Sequence, residues 1–251
     1  MSQDIDAALQ GWEFKPGVVQ ARLVQARDGR QVIQMRVDLG LLQIETTERP
    51  DGARPHGFPT YFEYLRQQVR VARRGSESFV LTEEQCLESD REFVQFYHRR
   101  ICWLALRNYP RAVADADHTL AFMDFVKAHS PAEEYTQAHE QYRGFVLFQR
   151  TQAAAARAVE KENAEEAIDE IRAGLEKMKT FFASFEAEEQ MEEDLMVQKL
   201  REMEKSLRET HGINATLAEQ LDEAVAKEDY ETAARLRDAM RQRPPGPIDR
   251  A

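Results

Sequence analysis

Residues 217–240 read LAEQLDEAVAKEDYETAARLRDAM, and the spacing of their apolar positions decides how this end of the chain folds. Leu217, Leu221, Ala224 and Val225 recur at intervals of three and four, which places them on one face of a helix. Ala233, Ala234, Leu236, Ala239 and Met240 form a second such face. The polar run Lys227-Glu228-Asp229 between them reads as a turn. Two short helices, each apolar on one side, predict an αα-hairpin. Helices this short are marginal without further packing, so the pair has more apolar surface than it can cover by itself.

Just upstream, His211-Gly212 is a helix end with glycine at the C′ place. No breaker precedes it back to Ala164, which predicts one helix over about 164–211, ~70 Å long if unbroken. Ile168, Ile171, Leu175, Met178, Phe182 and Phe185 keep the spacing of a coiled-coil seam. Glu186 to Asp194 is almost wholly acidic, and Met196, Leu200, Met203 and Leu207 restart the seam out of phase. This reads as a stalk with a polar waist, carrying the hairpin away from a body that ends at Phe185. On that reading residues 1–185 fold alone and the waist is open to proteases.

Strand signals are confined to the first 58 residues. Val19, Ala21 and Leu23 alternate with polar neighbours, as do Ile33, Met35, Val37 and Leu39 after Asp28-Gly29. Asp-Gly between two such runs predicts a hairpin with a type I′ turn. Leu42 and Ile44 either continue the second strand past a bulge at Gly40 or form a third. So small a sheet needs helices to lean on. From about Pro59 the period is helical. Gly75 ends a first helix, Thr82-Glu83-Glu84-Gln85 is a capping box, and Ser130-Pro131-Ala132-Glu133 and Asn163-Ala164-Glu165-Glu166 read as two more helix starts.

Two segments echo each other 55 positions apart. Trp103 to Leu106 leads through Asn108 to Ala112, Ala116 and Leu120; Ala158-Val159 leads through Asn163 to Ala167, Ile171 and Leu175. The pattern resembles tetratricopeptide repeats, although the copies exceed the 34-residue repeat length. A helical bundle with two such helix pairs is the expected body.

The 251 residues carry a net charge of −11, and 42% are hydrophobic, enough for a core. Residues 81–212 hold most of the excess acid, against a nearly neutral first 80. An acidic middle repels a phosphate backbone, so no direct nucleic-acid binding is expected. No apolar run approaches the ~20 residues of a membrane span. MSQDIDAALQ lacks the pattern of a secretory signal, so the chain is expected in the cytoplasm. Cys86 and Cys102 lack CxxC spacing and read as small hydrophobes.

The hairpin resembles the UVR motif, the interaction element of the excision-repair proteins UvrB and UvrC, also found in McsA-type regulators and some Clp unfoldases. The leucine spacing carries the resemblance, with Glu228-Asp229-Tyr230-Glu231, the pair Ala233-Ala234 and the run Leu236-Arg237-Asp238. The whole layout is similar to a bacterial family of UVR-motif proteins for which no reaction is established. Residues 34–45 (QMRVDLGLLQIE), 49–52 (RPDG), 114–125 (ADADHTLAFMDF) and 139–155 (HEQYRGFVLFQRTQAAA) carry that similarity. The resemblance implies protein docking, through Leu217, Leu221, Val225, Tyr230, Ala233, Leu236, Arg237 and Met240. Tyr230 either caps the two-helix core from inside or anchors a partner.

Candidates for chemistry are few. His139-Glu140 suggests half of a zincin motif, but the position four beyond His139 is Arg143, and zinc needs the second histidine. Asp115, Asp117 and His118 fall between Ala112, Ala116 and Leu120, as on a half-exposed helix. Arg66, Arg70, Arg73 and Arg74 lack interleaved aromatics and read as a solvated face or a partner for the acidic waist. Loops Arg49 to Gly52 and Arg54 to Gly57 read as turns or as a ligand loop. No P-loop, GxGxxG, GxSxG or Cys/His pairing occurs, so no enzyme activity, cofactor or metal is expected.

The expected fold is mainly α. A small N-terminal antiparallel sheet (1–58) precedes a tetratricopeptide-like body (59–185), a helical stalk (186–212) and the UVR hairpin with its tail (213–251). The expected function is a cytoplasmic adaptor that docks onto a like hairpin in UvrB, UvrC or a second copy of itself, accessory to excision repair. A McsA- or Clp-like regulator of protein quality control is an alternative, although the zinc-binding cysteines of such regulators are absent. An enzyme or ligand binder using Arg36, Arg49, Asp51 and Arg54 of the N-terminal loops is another.

Overall fold

The computed structural model describes residues 4–242, beginning with a single helical turn, α1 (Asp6–Leu9). Strands β1 (Gln20–Gln25), β2 (Gln31–Val37) and β3 (Gly40–Glu45) form an antiparallel sheet in sequential order. Leu23 pairs with Ile33, and Ile33 with Ile44. The third strand, not a bulged continuation, is the outcome: Asp38-Leu39 links Val37 directly to its partner Gly40. The first turn differs from the expected type I′. Ala26 N–H donates to Arg30 O at 2.8 Å, and of the three residues between them only Gly29 has positive φ, +88°. This is a three-residue loop with a left-handed closing glycine. The Asp28 carboxylate accepts the Arg30 N–H at 3.2 Å, which offers it a bond outside the left-handed region.

Ten α-helices lie among the described residues, α2 to α10 being Tyr61–Arg74, Glu83–Ala105, Tyr109–His129, Glu133–Glu140, Arg143–Glu160, Ala164–Ala183, Leu195–His211, Leu217–Ala226 and Tyr230–Gln242. The chain divides into two compact units, residues 1–146 and 147–251, with the boundary inside α6. The expected body 59–185 is therefore not one unit.

In the first unit, Phe62 and Leu65 of α2, Leu81, Cys86 of α3, and Phe122 and Val126 of α4 make a core, with Phe62 and Phe122 stacked at 4.8 Å. Gln85 reciprocates the Thr82 cap of α3, as its sequence predicts. The Ser130 box does not form. Ser130 ends α4, its hydroxyl donates to Ala132 O at 2.6 Å, and α5 starts only at Glu133.

The echoing segments share one device, an αα turn with no spare residues. Arg107 is left-handed, Asn108 N–H donates to Trp103 O at 2.9 Å, and the Asn108 side chain caps α4 at Arg111 N–H. Glu162, Asn163, Ala158 and Glu166 repeat it between α6 and α7. Glu228, Asp229, Ala224 and Thr232 repeat it a third time between α9 and α10. In each, the second residue closes one helix with its N–H and opens the next with its side chain.

The single helix 164–211 and its stalk are overturned. Helix α7 ends at Ala183, Glu186 turns left-handed, and Ala187 N–H closes the helix on Phe182 O at 3.0 Å. A 3-10 turn over Glu188–Glu192 follows, and the Asp194 carboxylate caps α8 at Met196 and Val197 N–H. Like charges at helical spacing disfavour a helix through the acidic run, whereas a carboxylate favours a helix start. Helix α8 packs on α7: Leu200 shares a cluster with Ala155, Ala158, Ala167 and Ile171, flanked by Leu175, Met203 and Leu207. The out-of-phase restart of the seam is thus the mark of a second helix folded onto the first. Residues 186–212 belong to the second unit, with Met191, Val197 and Leu200 buried in it.

Candidate docking surface

The base of the terminal hairpin is fastened by a capping box. Thr216 Oγ1 accepts the Glu219 N–H at 3.2 Å, and Glu219 Oε2 accepts the Thr216 N–H at 2.6 Å. The same Thr216 hydroxyl donates to Asp169 Oδ1 of α7 at 2.7 Å, and Leu217 N–H reaches Glu165 Oε2 at 3.2 Å. Glu219 is also held by Arg208 of α8 at 2.8 Å and Arg172 of α7 at 3.2 Å. Burial pushes the Glu219 pKa up, but the hydrogen bonds from Arg208 and the Thr216 N–H outweigh it and leave it lowered. Asp169 goes the other way: burial, with Glu165 and Glu219 nearby, raises its pKa against the Thr216 hydrogen bond. The box Thr216-Leu217-Ala218-Glu219 was legible one residue before the apolar pattern; its tertiary partners Asp169, Arg172 and Arg208 carry no local signal.

Beyond this base the hairpin turns apolar surface outwards. Ala224 and Ala233 are buried between α9 and α10, and Leu217, Leu221 and Leu236 are half-buried. Val225 is 51% exposed and Tyr230 69% exposed. Tyr230 therefore does not cap the two-helix core from inside. Leu221, Val225, Tyr230, Ala233 and Arg237 line one open groove of 610 Å³. Met240 lies apart from them, in a depression with Glu166, Asp169 and Glu170, and neither hollow includes Leu217 or Leu236.

Residues 215–242 match the family model described as the UvrB/uvrC motif. The hairpin is a UVR motif. Comparison of the chain with curated proteins and with solved structures gives no match. The UVR match is to a protein-interaction element of the UvrB/UvrC type, and within it Val225 and Tyr230 are the large apolar side chains most open to solvent.

Several of the other sequence candidates tie elements of the first unit together. Arg49 is 2% exposed, pairing with Glu88 at 2.5 Å and donating to Gln95 at 3.1 Å, so the turn it begins is pinned to α3. Arg36 donates to the carbonyls of Trp12 and Gly40. Asp115 is buried rather than half-exposed, bound by Arg99 Nε and Nη2 at 2.9 and 2.7 Å, because Arg99 also ties α3 to the carbonyls of Glu45 and Glu48 beside the sheet. His118 stacks on Phe96 at 3.7 Å, and Asp117 is exposed. His139 faces Asp90 at 3.0 Å, and Glu140 binds Arg143 through both oxygens. Arg66, Arg70, Arg73 and Arg74 are all exposed. Cys86 and Cys102 are buried, and burial pushes the Cys102 thiol up to about 12. No helix among the described residues is long and apolar enough to cross a membrane.

Proposed function

We propose that this chain is a cytoplasmic adaptor that docks through its UVR motif onto a second UVR-type hairpin, in UvrB, UvrC or another copy of itself. The exposure of Tyr230 and Val225 beside an apolar groove carries this reading. A second helix pair laid against that groove completes a four-helix core in which every helix buries its apolar face. Aromatic side chains dominate such contacts because they bury much area with few rotamers. Thr216 and Glu219 hold the base of the hairpin, so the apolar face is presented on a fixed footing. The net charge of −11 favours protein partners over a phosphate backbone, and the adaptor makes no direct nucleic-acid contact.

Light scattering of the full chain, followed by titration with peptides spanning the UvrB and UvrC hairpins, tests the proposal. Self-association or binding of either peptide, weakened by Tyr230→Ala, is the expected result. A wild-type chain that stays monomeric and binds neither peptide overturns it.

A further inference from the structure

An open groove of 630 Å³ in the first unit is walled by aromatic side chains from three helices and a turn. That volume lies within the range of small-molecule sites, roughly 300–1,000 Å³. Asp90, Phe93, Val94 and Tyr97 of α3 line it at intervals of three and four, so they share one helix face. Tyr135 of α5, Tyr142 of the turn after it and Phe145 of α6 supply further rings. Val94, Tyr97, Tyr142 and Phe145 are 54%, 39%, 58% and 39% exposed, large side chains open to solvent around one hollow.

The charged groups at the two ends of the groove differ in what they have left to offer. Arg100 is 2% exposed, donates to Thr119 Oγ1 at 3.0 Å and lies over the Tyr97 ring at 5.9 Å, so this guanidinium is held inside the wall. The Asp90 side chain, by contrast, is 47% exposed. Its Oδ1 accepts the Tyr135 hydroxyl at 2.8 Å and faces His139 Nε2 at 3.0 Å, while no hydrogen bond to Oδ2 forms among the described residues. A carboxylate carries lone pairs on both oxygens, so Oδ2 keeps its capacity to accept. Asp90 and Arg100 stand ~15 Å apart along the α3 axis.

We propose that this groove binds a small organic ammonium with an aromatic body, its N–H donors on Asp90 Oδ2 and its apolar part along Val94, Tyr97 and Phe145. The face of an aromatic ring carries negative potential and attracts a cation. A carboxylate at the mouth of an aromatic groove adds a charge-assisted hydrogen bond to that attraction. Arg100 disfavours the reverse orientation, because an ammonium placed beside it meets a like charge. Asp90 and Tyr97 stand ~10 Å apart along the α3 axis, which matches the length of an arylalkyl amine with a short chain.

Calorimetric titration of the full chain with phenylbutylamine, phenylbutanol and phenylbutyrate tests this, since the probes share a skeleton and differ in the charge of the head group. Saturable one-to-one binding of the amine is expected, with the alcohol and the acid each at least tenfold weaker. This comparison is made on the wild-type chain and depends on no variant. Asp90→Asn keeps an acceptor for the Tyr135 hydroxyl and removes the charge, so it should weaken the amine at least tenfold and leave the alcohol unchanged. Ala138→Trp, at an exposed position lining the groove, fills the space and should cost the amine at least tenfold while circular dichroism stays unchanged. The proposal is overturned if the amine does not saturate, if the alcohol or the acid binds equally well, or if a folded Asp90→Asn or Ala138→Trp variant binds the amine like wild type. Self-association abolished by Ala138→Trp would assign the groove to a second copy of the chain and overturn it too.

Discussion

Thr151 of α6 and Gly174 of α7 stand so close that a β-carbon built at position 174 would fall 2.8 Å from Thr151 Cβ, with the threonine hydroxyl and methyl nearer still. Alanine is favoured over glycine in a helix by about 1 kcal/mol, so Gly174→Ala in isolation would stabilise α7. Overpacking in a closed interface costs ~1–3 kcal/mol and should win here. Gly174→Ala is expected to lower the denaturation midpoint, and Thr151→Ala added to it should restore only part of the loss, because it removes the hydroxyl and methyl but leaves the Thr151 β-carbon 2.8 Å away. A stabilised Gly174→Ala single variant would contradict the close approach.

Glu92 is fully buried and joins two helices of the first unit. Its oxygens accept the N–H groups of Tyr61 and Phe62, the first turn of α2, at 2.6 and 3.0 Å, with Arg49 at 3.8 Å. Glu92→Ala leaves those donors and the buried guanidinium short of an acceptor and should cost about 3 kcal/mol or more in urea unfolding. Glu92→Gln keeps one carbonyl acceptor and should cost less. Equal losses for the two variants would argue against this bridge.

The raised pKa of Asp169 sets a pH dependence with a definite sign. An acid whose folded pKa lies above its unfolded value, here 3.8, binds more protons when folded, so stability falls as pH rises from that value through the folded pKa. Asp169→Asn retains an acceptor for the Thr216 hydroxyl and removes the charge beside Glu165 and Glu219. The variant should therefore gain on wild type as pH rises from 3.5 to 7. Thermal unfolding at the two pH values reads the difference; a gain that shrinks with rising pH would show that Asp169 is not held in this way.

Tyr230 separates stability from association. At 69% exposure its removal should change the unfolding free energy by no more than ~0.5 kcal/mol. If it anchors a partner, Tyr230→Ala costs association roughly 2–4 kcal/mol, a ~30-fold or greater loss of affinity. Paired unfolding and binding measurements on the same variant distinguish an anchor from a packing residue, which would lose both together.

Truncation at Phe185 should not leave an intact second unit. Val197 and Leu200 are fully buried, and removing α8 would expose Ile171 and Ala167. The fragment 1–185 is expected to show weakened protection of α7 in hydrogen exchange and raised binding of a hydrophobic dye. A fragment with α7 protected as in the full chain would restore an independent body ending at Phe185.

Local chemistry was legible in the sequence. The apolar periods marked the helices, Thr82 and Asn163 their starts, Gly75 and Gly212 their ends, and the alternation after Asp28-Gly29 the strands. The hairpin of residues 217–240 could be recognised because its seam and its turn act within a few positions. What the tertiary structure alone decided involves residues that meet across long stretches of chain. Asp194 folds α8 back onto α7 only because Leu200 finds Ile171 there, and periodicity reports a helix face without naming its partner. Asp115 looked half-exposed beside Ala112 and Ala116 until Arg99, 16 positions away, closed over it. The outward turn of Tyr230 is likewise a property of a surface that two helices make together. Sequence spacing specifies what each helix can offer; which offered faces meet, and which stay open, is settled by where the chain returns on itself.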